Sequence, residues 1–175
     1  MSEENTTLFN SNFRAGKRPL ILLAGKSGSG KNYWADRLQL NPVVSYTTRP
    51  MRTGETDGVE HHFVSEEFYK AFDKRNIIAY TFFNGNHYWA TIDEAETKDV
   101  YIIDFAGIEY MLKHPLINRD KIIVVYIDLS KGRCVSNMLK RGDDLNKAME
   151  RAEHDDEAFD LSKSTFKIDL TITAD

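Results

Sequence analysis

An α/β fold around a parallel sheet is predicted by three features of this 175-residue sequence. The run Pro19-Leu-Ile-Leu-Leu-Ala24 is apolar throughout and ends at a glycine-rich turn, as a strand buried on both faces does. Further apolar strand candidates at Val43 to Thr47, Val100 to Asp104 and Lys121 to Asp128 are separated by stretches with helical patterning, which implies crossover helices flanking the sheet. Two stretches break the alternation and read as insertions, one mixed and one helical.

Taken in order, residues 1–17 are polar and read as a flexible tail, leaving 18–175 as one domain of ordinary size. Gly30 to Leu40 reads as the first helix. Between about 49 and 96, a helix at Ser65 to Lys74 precedes a hairpin in which Asn84-Gly85 turns Ile77–Phe83 back into Asn86–Ala90. From about 130 to 159 the pattern is helix, the loop Arg141-Gly142-Asp143-Asp144, then a second helix, a charged helical hairpin of the kind that serves as a mobile lid.

Composition excludes several classes. A net charge of −4 argues against a broad basic surface for nucleic acid, while leaving room for a small cationic pocket for a phosphorylated metabolite. The longest apolar runs are too short to cross a bilayer, and the polar start lacks the apolar core of a secretory signal. The single cysteine, Cys134, has no partner for a disulfide or a metal site, so a reducing, cytoplasmic setting is expected. On its predicted helix it reads as a packed thiol rather than a nucleophile.

Chemistry is first legible at Gly25-Lys-Ser-Gly-Ser-Gly30-Lys31, a G-x-x-x-x-G-K phosphate loop between the first strand and the first helix. Small residues at Gly25, Ser27, Gly28, Ser29 and Gly30 let backbone N–H groups face phosphate oxygens, and Lys31 adds a fixed positive charge. The bland alternative is a Gly/Ser turn that merely caps a helix. Asn32 occupies the position where Ser or Thr would contact magnesium. Its amide oxygen is a candidate metal ligand, and it equally suits a helix start.

The stretch Ser45-Tyr-Thr-Thr-Arg-Pro-Met-Arg-Thr-Gly-Glu-Thr-Asp-Gly-Val-Glu-His-His-Phe63 follows the second strand candidate. Together with the phosphate loop it resembles guanylate kinase, and the likeness runs from about Pro19 to Ile172. The resemblance implies a P-loop parallel sheet with flanking helices, a small mixed α/β insertion that binds the nucleoside monophosphate, and a helical lid. It also implies ATP-dependent phosphorylation of a nucleoside monophosphate, with GMP or dGMP as first expectation, Mg²⁺ as cofactor, free nucleotides as partners, and a monomer or homodimer without nucleic acid or membrane.

Residue by residue, the resemblance assigns Lys31 and residues Gly25 to Asn32 to ATP, and Arg49, Arg52 and Tyr88 to the acceptor phosphate. His61 stands at a phosphate-binding tyrosine, and its neighbour His62 is expected on the opposite side of a strand. Ser45 and Asp104 match base-contacting positions. Arg141 and Arg151 match lid arginines that, with Lys31 and Arg49, form the catalytic set, while Asn137 stands where another lid arginine often occurs. Plainer readings remain for each: solvated loop charges for Arg49 and Arg52, a core aromatic for Tyr88, a helix cap for Asp104, and surface pairs with Asp143, Asp144 or Glu150 for the lid arginines.

The sequence departs from the family at Ala79, where a glutamate accepts from guanine, at Ala90, where a serine is usual, and at Ile102, where an acidic residue is linked to metal. An unpaired buried donor costs about 1–3 kcal/mol, enough to weaken base discrimination about tenfold or more. Two alternatives therefore stand beside GMP: a kinase for another (deoxy)nucleoside monophosphate, and a non-catalytic interaction module.

Overall fold

The computed structural model describes residues 13–173. β1 (Leu20–Gly25) lies at the centre of a four-stranded parallel sheet, flanked by β6 (Val100–Ile102) and β7 (Ile122–Asp128), with β8 (Leu170–Thr173) beyond β7. Alternate residues of β1 feed two cores. Leu20, Leu22 and Ala24 pack with Tyr101, Val124, Tyr126 and Ile108, whereas Leu23 packs with Val100, Val125 and Ile127 on the other face. That two-sided burial is why the run carries no polar position.

The connections place the helices. α1 (Lys31–Arg37) follows β1 directly and ends before Gln39, whose φ of 52° breaks the helical path earlier than Leu40. α4 (Phe105–Leu112) links β6 to β7, and α5 (Lys131–Lys140) with α6 (Leu145–Ala158) forms the hairpin between β7 and β8. The two hairpin helices hold each other through Met138 against Ala148 and Ala152.

The mixed insertion is a second sheet in the order β3 (His62–Phe63), β2 (Tyr46–Thr47), β5 (Asn86–Thr91), β4 (Ile77–Phe83). Asn84 and Gly85 both have positive φ, 48° and 75°, as a two-residue hairpin turn requires. One face is aromatic: Tyr46 and Trp89, paired in register, stack at 5.3 Å beneath Phe68, Tyr69 and Phe72. α2 (Glu66–Ala71) starts where the Ser65 hydroxyl accepts from the Phe68 N–H at 3.2 Å, while α3 (Ile92–Thr97) follows β5 and is capped by Thr91.

Two expectations are corrected. Val43 to Thr47 is no strand of the parallel sheet: Pro42 makes an isolated bridge to Val100, and the chain then crosses to the second sheet as Tyr46–Thr47. Pro42 has no N–H for a ladder, and the Val44 N–H is taken at 3.3 Å by Glu94 of α3. The tail does not reach Lys17 either, because Phe13 and Arg14 are 2% and 3% exposed. The Arg14 guanidinium donates to the carbonyls of Ala95 and Lys98 at the end of α3, satisfying acceptors that a helix terminus leaves open. The rest of the expected tail, residues 1–12, lies outside the described residues.

Candidate functional site

The phosphate loop runs from the end of β1 to the start of α1, with Gly28 and Gly30 at φ of 78° and 90°. A methyl at Gly28 would stand 2.3 Å from the Cys134 carbonyl oxygen of α5, so the loop packs on the hairpin with only glycine between them. Lys31 Nζ folds back to the carbonyls of Gly25 at 2.6 Å and Lys26 at 3.0 Å. Burial pushes its ammonium down to about 8; Asp155 and Cys134 oppose that shift and Arg141 adds to it.

A cavity of about 800 Å³ opens between residues 27–34 and the hairpin residues Arg133, Asn137, Arg141 and Arg151, with Leu129 at its side. The loop and both expected lid arginines thus face one space. Arg141 and Arg151 converge on Asp143, at 2.6 and 3.5 Å, which fulfils the surface-pair reading without withdrawing them from the cavity. Asn137 donates to the Gly28 carbonyl at 2.9 Å. The Ser29 hydroxyl is buried in the loop and has no hydrogen-bond partner among the described residues.

A second cluster forms on the face of the insertion opposite the aromatic layer. The Arg49 guanidinium is bound by both oxygens of Glu55, each at 2.9 Å, and lies 5.2 Å from the centre of the Phe63 ring. Glu55 also accepts from the Arg52 N–H at 2.7 Å, and the Arg49 contact holds its carboxyl down to about 2. Tyr88 shares this face through its pairing with Thr47, and His61 lies 5.8 Å from the Tyr88 ring. His61 Nδ1 is 2.9 Å from the Ser45 hydroxyl; burial first, then the Arg49 charge, lowers its pKa. His62 turns to the other face against Tyr46, as alternation requires.

Two expected residues stand apart from the cluster, and a third is held within it. The Arg52 side chain is exposed, and its contact with the cluster is through the backbone. Asp104 sits just past the carboxyl end of β6 and accepts from the Gly107 N–H at 2.7 Å, the helix-cap role. Ser45 is tied to His61 rather than standing alone as a base contact. Glu55, Arg133 and Asp155 were not singled out in the sequence. Glu55 lay inside the quoted stretch, and Arg133 lies one and two turns from Asn137 and Arg141 on the same helix, so spacing alone could have found them.

Among the described residues, no group of three or more His, Cys, Asp or Glu side chains gathers to hold a metal. Asn32 lines the cavity one residue after Lys31. A single neutral oxygen donor suits Mg²⁺ that takes most of its ligands from phosphates and water.

Comparison with known proteins bears directly on this arrangement. Residues 16–168 match the guanylate kinase family model, a span that includes the phosphate loop, the Arg49 cluster and the helical hairpin. The chain belongs to the guanylate kinase family. It is 32% identical to guanylate kinase of Chlorobium luteolum over 151 residues, covering 76% of this chain and 75% of that one. It is 44% identical to guanylate kinase of Chlorobaculum tepidum over 81 residues, covering 43% and 42% of the two chains. The match to that relative thus spans about two fifths of its length. Guanylate kinase of Anaplasma phagocytophilum shares the fold, with a TM-score of 0.58 at 21% identity over 90% of this chain and 77% of that one. The family and the α/β architecture expected from the sequence are both borne out. No helix among the described residues is long and apolar enough to cross a membrane.

Proposed function

We propose that this guanylate kinase family member transfers the γ-phosphoryl group of ATP to a nucleoside monophosphate, with GMP or dGMP as the acceptor. The observation that carries this reading is that the phosphate-loop residues and Lys31 face Arg141 and Arg151 across one cavity. Phosphoryl transfer needs alignment and charge neutralisation more than covalent chemistry, and that cavity offers both.

Lys31, the loop amides and the buried Ser29 hydroxyl hold the donor phosphates. Arg49, Arg52, Tyr88 and His61 bind the acceptor phosphate. The Arg49 fork gives one N–H to each oxygen of Glu55 and another to the Pro50 carbonyl, and Tyr88 interacts with the same guanidinium, so arginine and tyrosine are held side by side where the acceptor phosphate is proposed to bind. Ser45 and Asp104 contact the base. Arg141 and Arg151 exchange Asp143 for the phosphoryl group in flight. Asn32, directly or through a water, would help to hold Mg²⁺, whose chemistry there would be neutralisation of phosphate charge. The enzyme acts on free nucleotides in the cytoplasm, as a monomer or homodimer.

A second acceptor is favoured by one observation. Ala79 and Ala90 face each other in register at 2% and 0% exposure, so no polar side chain there reads a guanine edge. Incubating the enzyme with ATP and an equimolar mixture of GMP, dGMP, AMP, CMP, UMP and dTMP, then resolving the diphosphates, tests the assignment. GDP or dGDP as the main product supports it; a pyrimidine or adenine diphosphate replaces it with the second acceptor, and no diphosphate at all rejects kinase action.

A further inference from the structure

Three consecutive residues of the phosphate loop are each held by a side chain of the helical hairpin. Lys26 Nζ donates to Asp156 at 2.6 Å, the Ser27 backbone N–H donates to Asp155 Oδ2 at 2.5 Å, and the Gly28 carbonyl accepts from Asn137 at 2.9 Å. Asp156 also binds Lys131 of α5 at 2.9 Å, tying both helices to the same point.

Asp155 is the unusual member. The buried stripe of α6 is Ala148, Ala152 and Asp155, so a carboxylate fills a place that an apolar side chain would pack at no desolvation cost. It is 7% exposed, and its Oδ1 lies 3.6 Å from His154 Nδ1. A buried carboxylate is retained only where charged or hydrogen-bonding partners compensate it, and here those partners are the Ser27 N–H and the adjacent Lys31 charge.

We infer that Asp155 is a positioning residue for the phosphoryl donor: its carboxylate locks the Ser27 amide and so the loop, and sets Arg151 above the donor site. Arg151 and Asp155 are four residues apart on α6 and therefore lie on one side of the helix. Fixing Asp155 to the loop fixes the distance from Arg151 to that loop. The hairpin consequently moves with its loop-facing end anchored, and its motion is confined to the Arg141 to Asp144 end. This inference rests on the donor-site reading above.

Three variants of the full chain test it: Asp155→Asn, which keeps an oxygen acceptor without the charge, Asp155→Ala, and Asp155→Leu, which continues the apolar stripe and guards against simple unfolding. Binding of the non-hydrolysable ATP analogue AMP-PNP, steady-state kinetics and the ¹⁵N–¹H signal of Ser27 are read in each. With thermal stability of the Leu variant retained, the Ala and Leu variants should bind AMP-PNP about tenfold more weakly, the weight of a lost hydrogen bond to a charged group. Their kcat should fall a further tenfold or so as Arg151 loses its placement, with the KM for the acceptor unchanged. The Asn variant should recover most of the binding and less of the kcat, and the Ser27 signal should move upfield in the order Asn, then Ala and Leu.

Unchanged or tighter AMP-PNP binding in the Leu variant, or an unmoved Ser27 signal, overturns the inference. If the wild-type protein binds AMP-PNP but phosphorylates no nucleotide, the proposed activity fails while the Ser27 signal and AMP-PNP binding still decide the role of Asp155.

Discussion

Lys31 has two ordinary carbonyl partners and a burial that disfavours its charge, a combination that gives the proposed phosphate anchor a pH limit. The free protein loses the ammonium as pH rises through about 8, so kcat/KM for ATP should fall above that value. Bound phosphates favour the charged form, so kcat should hold to higher pH; a pH profile in which both fall together at the ordinary lysine value would contradict the assignment. Arg49 presents the opposite case, since Glu55 raises its pKa and fixes its fork. Glu55→Gln removes the counter-charge while keeping the shape. The expected result is an acceptor KM higher by about tenfold with the ATP KM unchanged, because a guanidinium free to rotate pays its ordering cost on binding. His61 has its pKa lowered by burial and then by the Arg49 charge, so protonating it in the free protein would add repulsion toward Arg49.

Elements show how far local pattern carries and where it stops. β1, β6 and β7 were legible as apolar runs, and the β4–β5 hairpin was legible from its Asn84-Gly85 turn, because two successive positive φ angles admit few residue pairs. The crossing of 43–47 was not, because its end as a strand depends on Glu94, 50 residues on, and on a proline that reads as an ordinary strand start. The phosphate loop and helical hairpin were each visible, whereas their mutual contact was not: Ser27 and Asp155 are 128 residues apart, and no periodicity links them. Gly28 is the one point where that contact tests the element directly. Gly28→Ala must force back a backbone carbonyl of α5 and place alanine at φ of 78°, a combination that should cost about 3 kcal/mol or more in denaturant unfolding and depress activity beyond the loss of folded protein. A stability within about 0.5 kcal/mol of wild type would mean that the loop and hairpin are not packed as described.

At the scale of the whole molecule, one parallel sheet carries two appended units, and the site is divided between them. The proposed donor residues belong to the sheet and the helical hairpin, and the proposed acceptor cluster belongs to the insertion. The insertion is braced from an unexpected side, since Phe13 enters the main core and Arg14 ties that segment to the end of α3. Polar composition hid this bracing, because one arginine among charged neighbours reads as solvated until its carbonyl partners are known. Arg14→Ala strands those carbonyls and should lower stability by about 2 kcal/mol, a fall in Tm of roughly 4–8 °C by calorimetry. The division of the site also sets the decisive measurement, which is ADP formation from Mg·ATP with GMP, dGMP and the other nucleoside monophosphates in turn, against a control without acceptor. Acceptor-dependent ADP formation strongest with GMP or dGMP, abolished in Lys31→Ala, is the predicted result; ADP formation indifferent to acceptor, or unaltered by loss of Lys31, would contradict it.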